Sequence, residues 1–244
     1  TSVVHLAALC GVRPSIGREV LYSDVNVTGT ARLLELVRTR RVPTFVFASS
    51  SSVYGNNKKV PFSETDPVDH PISPYAATKK AGELLCHSSS HVDGVAAMCL
   101  RFFTAYGPRQ RSDLAIHKFS KLLAGEEPVP MFGDGFSSRD YTYIDDIVAG
   151  VVRALDWAEA NPATCEVVNL GRGQPIMLSD MIRILGDAME VTPEIVRLPS
   201  QPGDVTRTLA DVTKAHSLLG YDPKVEFEEG IRRFLEWFRE SQGS

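Results

Sequence analysis

The chain has 244 residues, 43% of them hydrophobic and 23% charged, with a formal net charge of −4. Such a composition belongs to a soluble globular protein, long enough for one large domain or a main domain with a smaller one. With no long basic run it offers nothing to nucleic acid or to an anionic membrane, and no apolar run reaches the length of a membrane span. The cysteines, Cys10, Cys86, Cys99 and Cys165, show no CxxC spacing. Reduced thiols in a cytoplasmic protein are therefore expected, with neither a metal site nor a disulfide framework.

Taken in order, Ser2 to Ala8 reads as a buried strand running into small residues. A helix from about Tyr22 to Arg38 follows, with Val25, Leu33, Leu34 and Val37 on its apolar side. Pro43 ends it, and Thr44 to Ala48 is a second continuous apolar strand. A polar, proline-rich loop from Gly55 leads to a helix that begins at Ser73-Pro74 and runs to about His91. Val95 to Phe103 is a third strand. This β-α-β-α-β order predicts an α/β fold, a doubly wound parallel-sheet (Rossmann-like) domain whose ligands sit at the carboxyl ends of the strands.

Past Pro108 the elements shorten. Helices are expected over Ile116–Ala124, from an Asp145 cap through Ala160, from a Ser179 cap to Met189, from Asp211 to Gly220 and over Phe227–Arg239. Short strands are expected at Val129–Phe132, Tyr141–Ile144, Cys165–Leu170 and Glu194–Leu198. The expected division is a main domain over 1–110, rejoined by about 145–172. A smaller C-terminal α/β substrate-binding lobe takes 111–144 and 173–244.

Two stretches carry chemistry. In SPYAATKKAGELL, Tyr75 and Lys79 are four residues apart and share one helix face. They are either a solvated face or an acid–base pair, in which the ammonium favours the phenolate and brings the phenol toward neutral pH. The second stretch is Ser49-Ser50-Ser51-Ser52-Val53-Tyr54-Gly55, four hydroxyls at the carboxyl end of a central strand. A serine there, with Tyr75 and Lys79, could complete a Ser-Tyr-Lys triad, although serines also suit a plain strand exit.

The ordered set HLAA, NVTGT, SSSSVYG, YAATK, LRFFTAYGP, RDYTYIDDI, NLG and QPGD resembles the extended short-chain dehydrogenase/reductase family, in its nucleotide-sugar epimerase branch. The resemblance covers essentially the whole chain. It implies NAD as cofactor, a UDP-sugar as substrate, a homodimer formed through the Tyr22 and Tyr75 helices, and 4-epimerisation through a transient 4-keto sugar. It implies Tyr75 as catalytic acid and base, Lys79 on the nicotinamide ribose with the tyrosine pKa lowered, and Ser50 as third member. Ala7, Ala8, Asn26, Ser49 and Phe102 would lie about the cofactor, with Asn26 orienting the active-site strand ends. Arg139 would meet the diphosphate, Phe132 the uracil, and Gln201 and Asp204 the nucleoside. Ser51 and Ser52 would face the sugar, where dehydratases and decarboxylases of the branch carry acids. Thr104 and Arg111 resemble the pair that meets a sugar carboxylate in UDP-glucuronate 4-epimerases, which makes UDP-glucuronate the expected substrate. UDP-glucose and UDP-N-acetylglucosamine are the alternatives, since Arg109-Gln110-Arg111-Ser112-Asp113 departs from the Trp-Gly-Arg-Pro-Asp of that subgroup.

The glycine-rich GxxGxxG that such a fold carries after its first strand is not in this sequence. The expectation is an N-terminally truncated domain whose first strand, Val3 to Leu6, presents an open apolar edge. A non-catalytic nucleotide-sugar-binding fragment is therefore a second reading of the chain.

Overall fold

The structure is a computed structural model that describes residues 1–199 and 205–242. Gln201 and Asp204 lie outside the described residues.

Four parallel strands form the main sheet, in the order β1-β2-β3-β7. They are β1 (Ser2–His5), β2 (Thr44–Ser50), β3 (Ala96–Phe102) and β7 (Cys165–Leu170). Side chains alternate across such strands with a period of two, and both faces are apolar here. Phe45, Phe47, Ala97 and Cys99 pack with Leu34, Val37 and Cys86. These last come from the helices α3 (Gly29–Thr39) and α4 (Pro74–Asp93). Val46, Ala96, Met98 and Leu100 pack instead with Ile147, Ala154, Ala158 and Leu219, from α6 (Ile144–Ala160) and α8 (Thr213–Leu219). Helices on both faces of a parallel sheet make the doubly wound arrangement. β1 pairs with β2 on one side, and among the described residues no strand pairs with its other side.

Between β1 and β2 lie two single-turn helices, α1 (Val12–Ser15) and α2 (Glu19–Tyr22), and a π-helical segment, Ser23–Thr28, that leads into α3. Val25, expected on the apolar side, is exposed. The wider π turn brings Asn26 inward instead, at 3% exposure.

A second core gathers Phe119, Leu123, Met131, Tyr141, Met181, Leu185, Ile231 and Phe234. It is built by α5 (Ala115–Ala124), α7 (Leu178–Met189) and α9 (Phe227–Gln242). Two small sheets accompany it. One joins β4 (Thr104–Tyr106), β6 (Ser138–Tyr143) and β8 (Pro175–Met177), the other β5 (Val129–Phe132) and β9 (Ile195–Leu198).

The caps expected at Asp145 and Ser179 are displaced. The residues entering α6 and α7 are Tyr143 and Met177. Asp146 bonds outside its own helix, accepting the backbone N–H groups of Lys224 and Val225 at 3.0 Å each. No helix among the described residues is long and apolar enough to cross a membrane.

Candidate active site

The carboxyl end of β2 meets the first turns of α4. Ser73 caps this helix, its hydroxyl accepting the Ala76 N–H at 3.1 Å, and Pro74 opens it. The helix lies unusually close to the sheet at Gly82, where an added Cβ would stand 2.2 Å from Cζ of Phe47. That approach brings Tyr75 and Lys79 to the strand end, and both are buried.

The Ser50 hydroxyl neighbours the Tyr75 phenol and favours its ionised form. Ser50 also accepts the Ser52 N–H, which starts the 3-10 turn Ser51–Tyr54. The Lys79 ammonium donates to Ala48 O at 2.6 Å and lies 5.9 Å from the Tyr75 ring centroid. An ammonium has three donors, and among the described residues this bond to the strand carbonyl is the hydrogen bond it makes. The donors that remain are what a pair of ribose hydroxyls requires, so the residues fit a nicotinamide nucleotide in that respect.

The electrostatics differ from expectation. Burial pushes the Tyr75 phenol well above its ordinary value, with the nearby Cys10 thiol acting the same way and Ser50 and Arg111 opposing. The expected lowering of this pKa by Lys79 is therefore not found. Desolvation dominates at the phenol, and burial lowers the pKa of Lys79 itself.

Asn26 is fully engaged within the protein. Its Oδ1 accepts the Leu9 N–H at 2.8 Å, and its amide donates to Leu9 O and to the Thr78 hydroxyl at 3.0 Å each. It ties the stretch after β1, which holds Ala7 and Ala8, to α4, an orienting contact that leaves no amide group over for the cofactor. Ser49 departs further from its expected place. It faces the α4 side of the sheet, and its hydroxyl donates to Glu83 Oε1 at 2.6 Å. Phe102, at the end of β3 beside Ser50, is half-buried.

Two adjoining cavities open beside this centre. One, of about 170 Å3, is lined by Ser51, Ser52, Thr104, Arg139, Thr208 and Arg13, among others. Its described lining contains no acid. The other, of about 270 Å3, is lined by Phe132, Arg139, Tyr141, Lys118, Asp113 and again Arg13. The structure thus gathers Ser51, Ser52 and Thr104 in one cavity and Phe132 in the other, with Arg139 common to both. Arg13, whose guanidinium lies 6.0 Å from the Phe132 ring centroid, is also common to both and was missed. Its only signal was a lone arginine shortly after a strand end.

Arg111 lines neither cavity. It is exposed and bonded in bidentate fashion to Asp113, at 2.9 and 2.7 Å. Its charge still reaches the Tyr75 phenol. The expected partner of Arg111, a sugar carboxylate, has a protein carboxylate in its place.

Beneath the site lie further groups that sequence reasoning passed over. Arg101 is 2% exposed, and its guanidinium grips Glu83 through two bonds of 2.8 and 2.9 Å. It donates also to Tyr54 at 3.0 Å, and Tyr54 donates to Asn169 Oδ1 at 2.6 Å. Asp140, buried next to Arg139, accepts three backbone N–H groups, from Arg172, Gly173 and Ala210, at 2.8, 2.9 and 3.0 Å. The available signal was a charge inside an apolar strand, as in AAMCLRF, because such a charge demands a partner.

The chain matches the family model described as GDP-mannose 4,6 dehydratase over residues 1–234. It is 41% identical over 242 residues to the UDP-glucuronate 4-epimerase of Thermodesulfobacterium geofontis, an alignment covering 99% of this chain and 73% of that protein. The solved UDP-glucuronic acid 4-epimerase of Bacillus cereus, in complex with UDP-glucuronic acid and NAD, is similar at a TM-score of 0.91 and 36% identity. That match covers 98% of this chain and 76% of the other. The UDP-glucose 4-epimerase of Thermotoga maritima, with UDP-glucose, matches at a TM-score of 0.93 and 33% identity, covering 99% of this chain and 78% of that one.

Proposed function

Since the chain belongs to the nucleotide-sugar branch of the extended short-chain dehydrogenases/reductases, the family of the matched model, we propose that it catalyses NAD-dependent 4-epimerisation of a UDP-sugar, with UDP-glucuronate as substrate. One observation carries this reading. The Ser50–Tyr75–Lys79 group stands beside a cavity lined by hydroxyls and two guanidiniums, with no acid in its described lining. An elimination of water or carbon dioxide has no carboxylate to work with at Ser51 or Ser52. Removal and return of hydrogen at one sugar carbon, with NAD as the hydride acceptor and donor, asks of the side chains only a proton carrier, which Tyr75 and Ser50 form together.

Lys79 holds the cofactor through the ribose hydroxyls, alongside the backbone of Ala7, Ala8 and Phe102. NAD, when bound, supplies the hydride acceptor and donor for the sugar carbon. Tyr75 takes the proton of the sugar 4-hydroxyl and later returns it, and Ser50 holds the same oxygen. Arg13 and Arg139 meet the diphosphate, where a guanidinium makes strong charge-assisted contacts. Phe132 covers the base. Thr104 meets the sugar, and Arg111 turns from Asp113 to the sugar carboxylate, a small cost because an exposed ion pair contributes little.

Incubation with NAD and UDP-glucuronate, followed by chromatographic separation of 4-epimers, is expected to give UDP-galacturonate, and none with Tyr75→Phe. Arg111→Gln is expected to raise KM for UDP-glucuronate about 10- to 100-fold, since a hydrogen bond to a charged group contributes about 1.5–3 kcal/mol. The Arg111–Asp113 pairing favours a neutral sugar as the second reading. Product from UDP-glucose or UDP-N-acetylglucosamine and none from UDP-glucuronate establishes that one.

The same reading makes the protein a homodimer in the cytoplasm. The groove between α3 and α4, lined by Leu34, Leu85 and the exposed Val92, is where two copies pack. Light scattering that returns a monomer mass at micromolar concentration overturns the pairing.

A further inference from the structure

Three successive residues of β2 each meet one of three residues spaced four apart on α4. The Ser50 hydroxyl neighbours the Tyr75 phenol and lowers its pKa, the Ala48 carbonyl accepts from Lys79, and Ser49 donates to Glu83. Residues at this spacing lie one above another on a helix face, so the contacts form a ladder of three rungs. Two rungs hold groups of the proposed chemistry; the third holds a carboxylate that takes no part in it. Glu83 is 3% exposed and does not line either cavity.

The third rung is also the most heavily braced. Ser49 and Arg101 are register partners on β2 and β3, and Arg101 closes on both oxygens of Glu83 while its third nitrogen reaches Tyr54. Arg101 and Asn169 are partners on β3 and β7. Asn169 receives the Tyr54 hydroxyl and donates onward to Phe62 O and Asp211 O at 2.9 and 3.2 Å. One hydrogen-bonded chain thus runs from α4 across three strands to the segment at 205–211, whose Val205 and Thr208 line the acid-free cavity. A desolvated ion pair contributes little net stability over an apolar replacement, so stability alone does not account for its presence beneath the site.

We propose that Glu83 and Arg101 are positioning residues: through Ser49 they set the register of α4 on β2, and with it the placing of the Tyr75 phenol against Ser50 and the cavity mouth. The inference rests on Tyr75 as the proton-carrying group. A helix displaced by about 1 Å leaves substrate contacts on the other elements intact but spoils the transfer geometry, at a cost of about 10²-fold in rate.

The test uses the full chain with Glu83→Met and Arg101→Met combined, because removing one partner alone strands a buried charge. The double variant is expected to fold, to lose about 10²-fold in kcat, and to keep KM for the sugar nucleotide within about threefold of the parent. With 13Cζ-labelled tyrosine, the Tyr75 resonance, assigned by its loss in Tyr75→Phe, is expected to shift. A folded double variant with parental kcat and an unmoved Tyr75 resonance overturns the proposal. If the double variant does not fold, Ser49→Ala removes the rung and leaves the ion pair, and the same two readings decide. An unmodified chain that turns over none of the three sugar nucleotides defeats the epimerase reading alone, and the Tyr75 resonance still judges the positioning claim.

Discussion

At the scale of single residues, what a sequence exposes is adjacency along the chain. Tyr75 and Lys79 share a face because helical spacing is local, and Ser50 to Ser52 stand at a strand end because an apolar run stops there. Burial and partners are not local. The phenol of Tyr75 moves up rather than down, because desolvation by the packed strand end outweighs its neighbours. Arg111 reads as a loop cation awaiting a ligand, yet Asp113, two residues on, holds it. Asp113→Asn is therefore expected to free the guanidinium and to lower KM for UDP-glucuronate by about fivefold, in keeping with about 1 kcal/mol for an exposed pair. Steady-state kinetics against UDP-glucose, which lacks the carboxylate, show whether the gain is specific.

At the scale of elements, α4 looks imperfect in sequence, with a glycine in the middle of an otherwise strong helix. Replacing an exposed helical glycine by alanine gains about 1 kcal/mol. Here the new methyl would meet the Phe47 ring at 2.2 Å, and overpacking costs about 1–3 kcal/mol. Gly82→Ala is expected to lower the urea midpoint. Ser73→Ala, which removes the cap, is expected to cost about 1 kcal/mol in the same titration. The order of strands and helices was legible because apolar runs and breakers are strong signals. The bounds of Cys165–Leu170 agree with expectation, while β4 and β8, at three residues each, were not anticipated, since a three-residue strand has no period to read. The π segment was equally hidden, because the choice between a four- and a five-residue turn is made by what the helix packs against.

At the scale of the molecule, buried phenols are numerous and their titration bears on stability. Burial pushes Tyr54 and Tyr141 up to about 12, with Arg101 opposing at Tyr54 and Arg139 at Tyr141. A phenol with a folded pKa above its unfolded value near 10 contributes stability that is fully present below pH 10. That contribution is lost as pH rises through 12, because the unfolded chain releases the proton first. Melting temperature is expected to be insensitive to these groups from pH 7 to 9 and to fall steeply between 10 and 12, the fall shrinking in Tyr54→Phe. The two cavities share Arg13 and Arg139 as a common wall. In the proposed epimerase such a wall would work as a gauge of length: a free sugar would engage the guanidiniums from one side and a nucleoside from the other, each paying the full entropy of capture. On that proposal only a molecule that reaches across the divide would pay it once, and the protein would select for the joint between sugar and nucleotide as much as for either end.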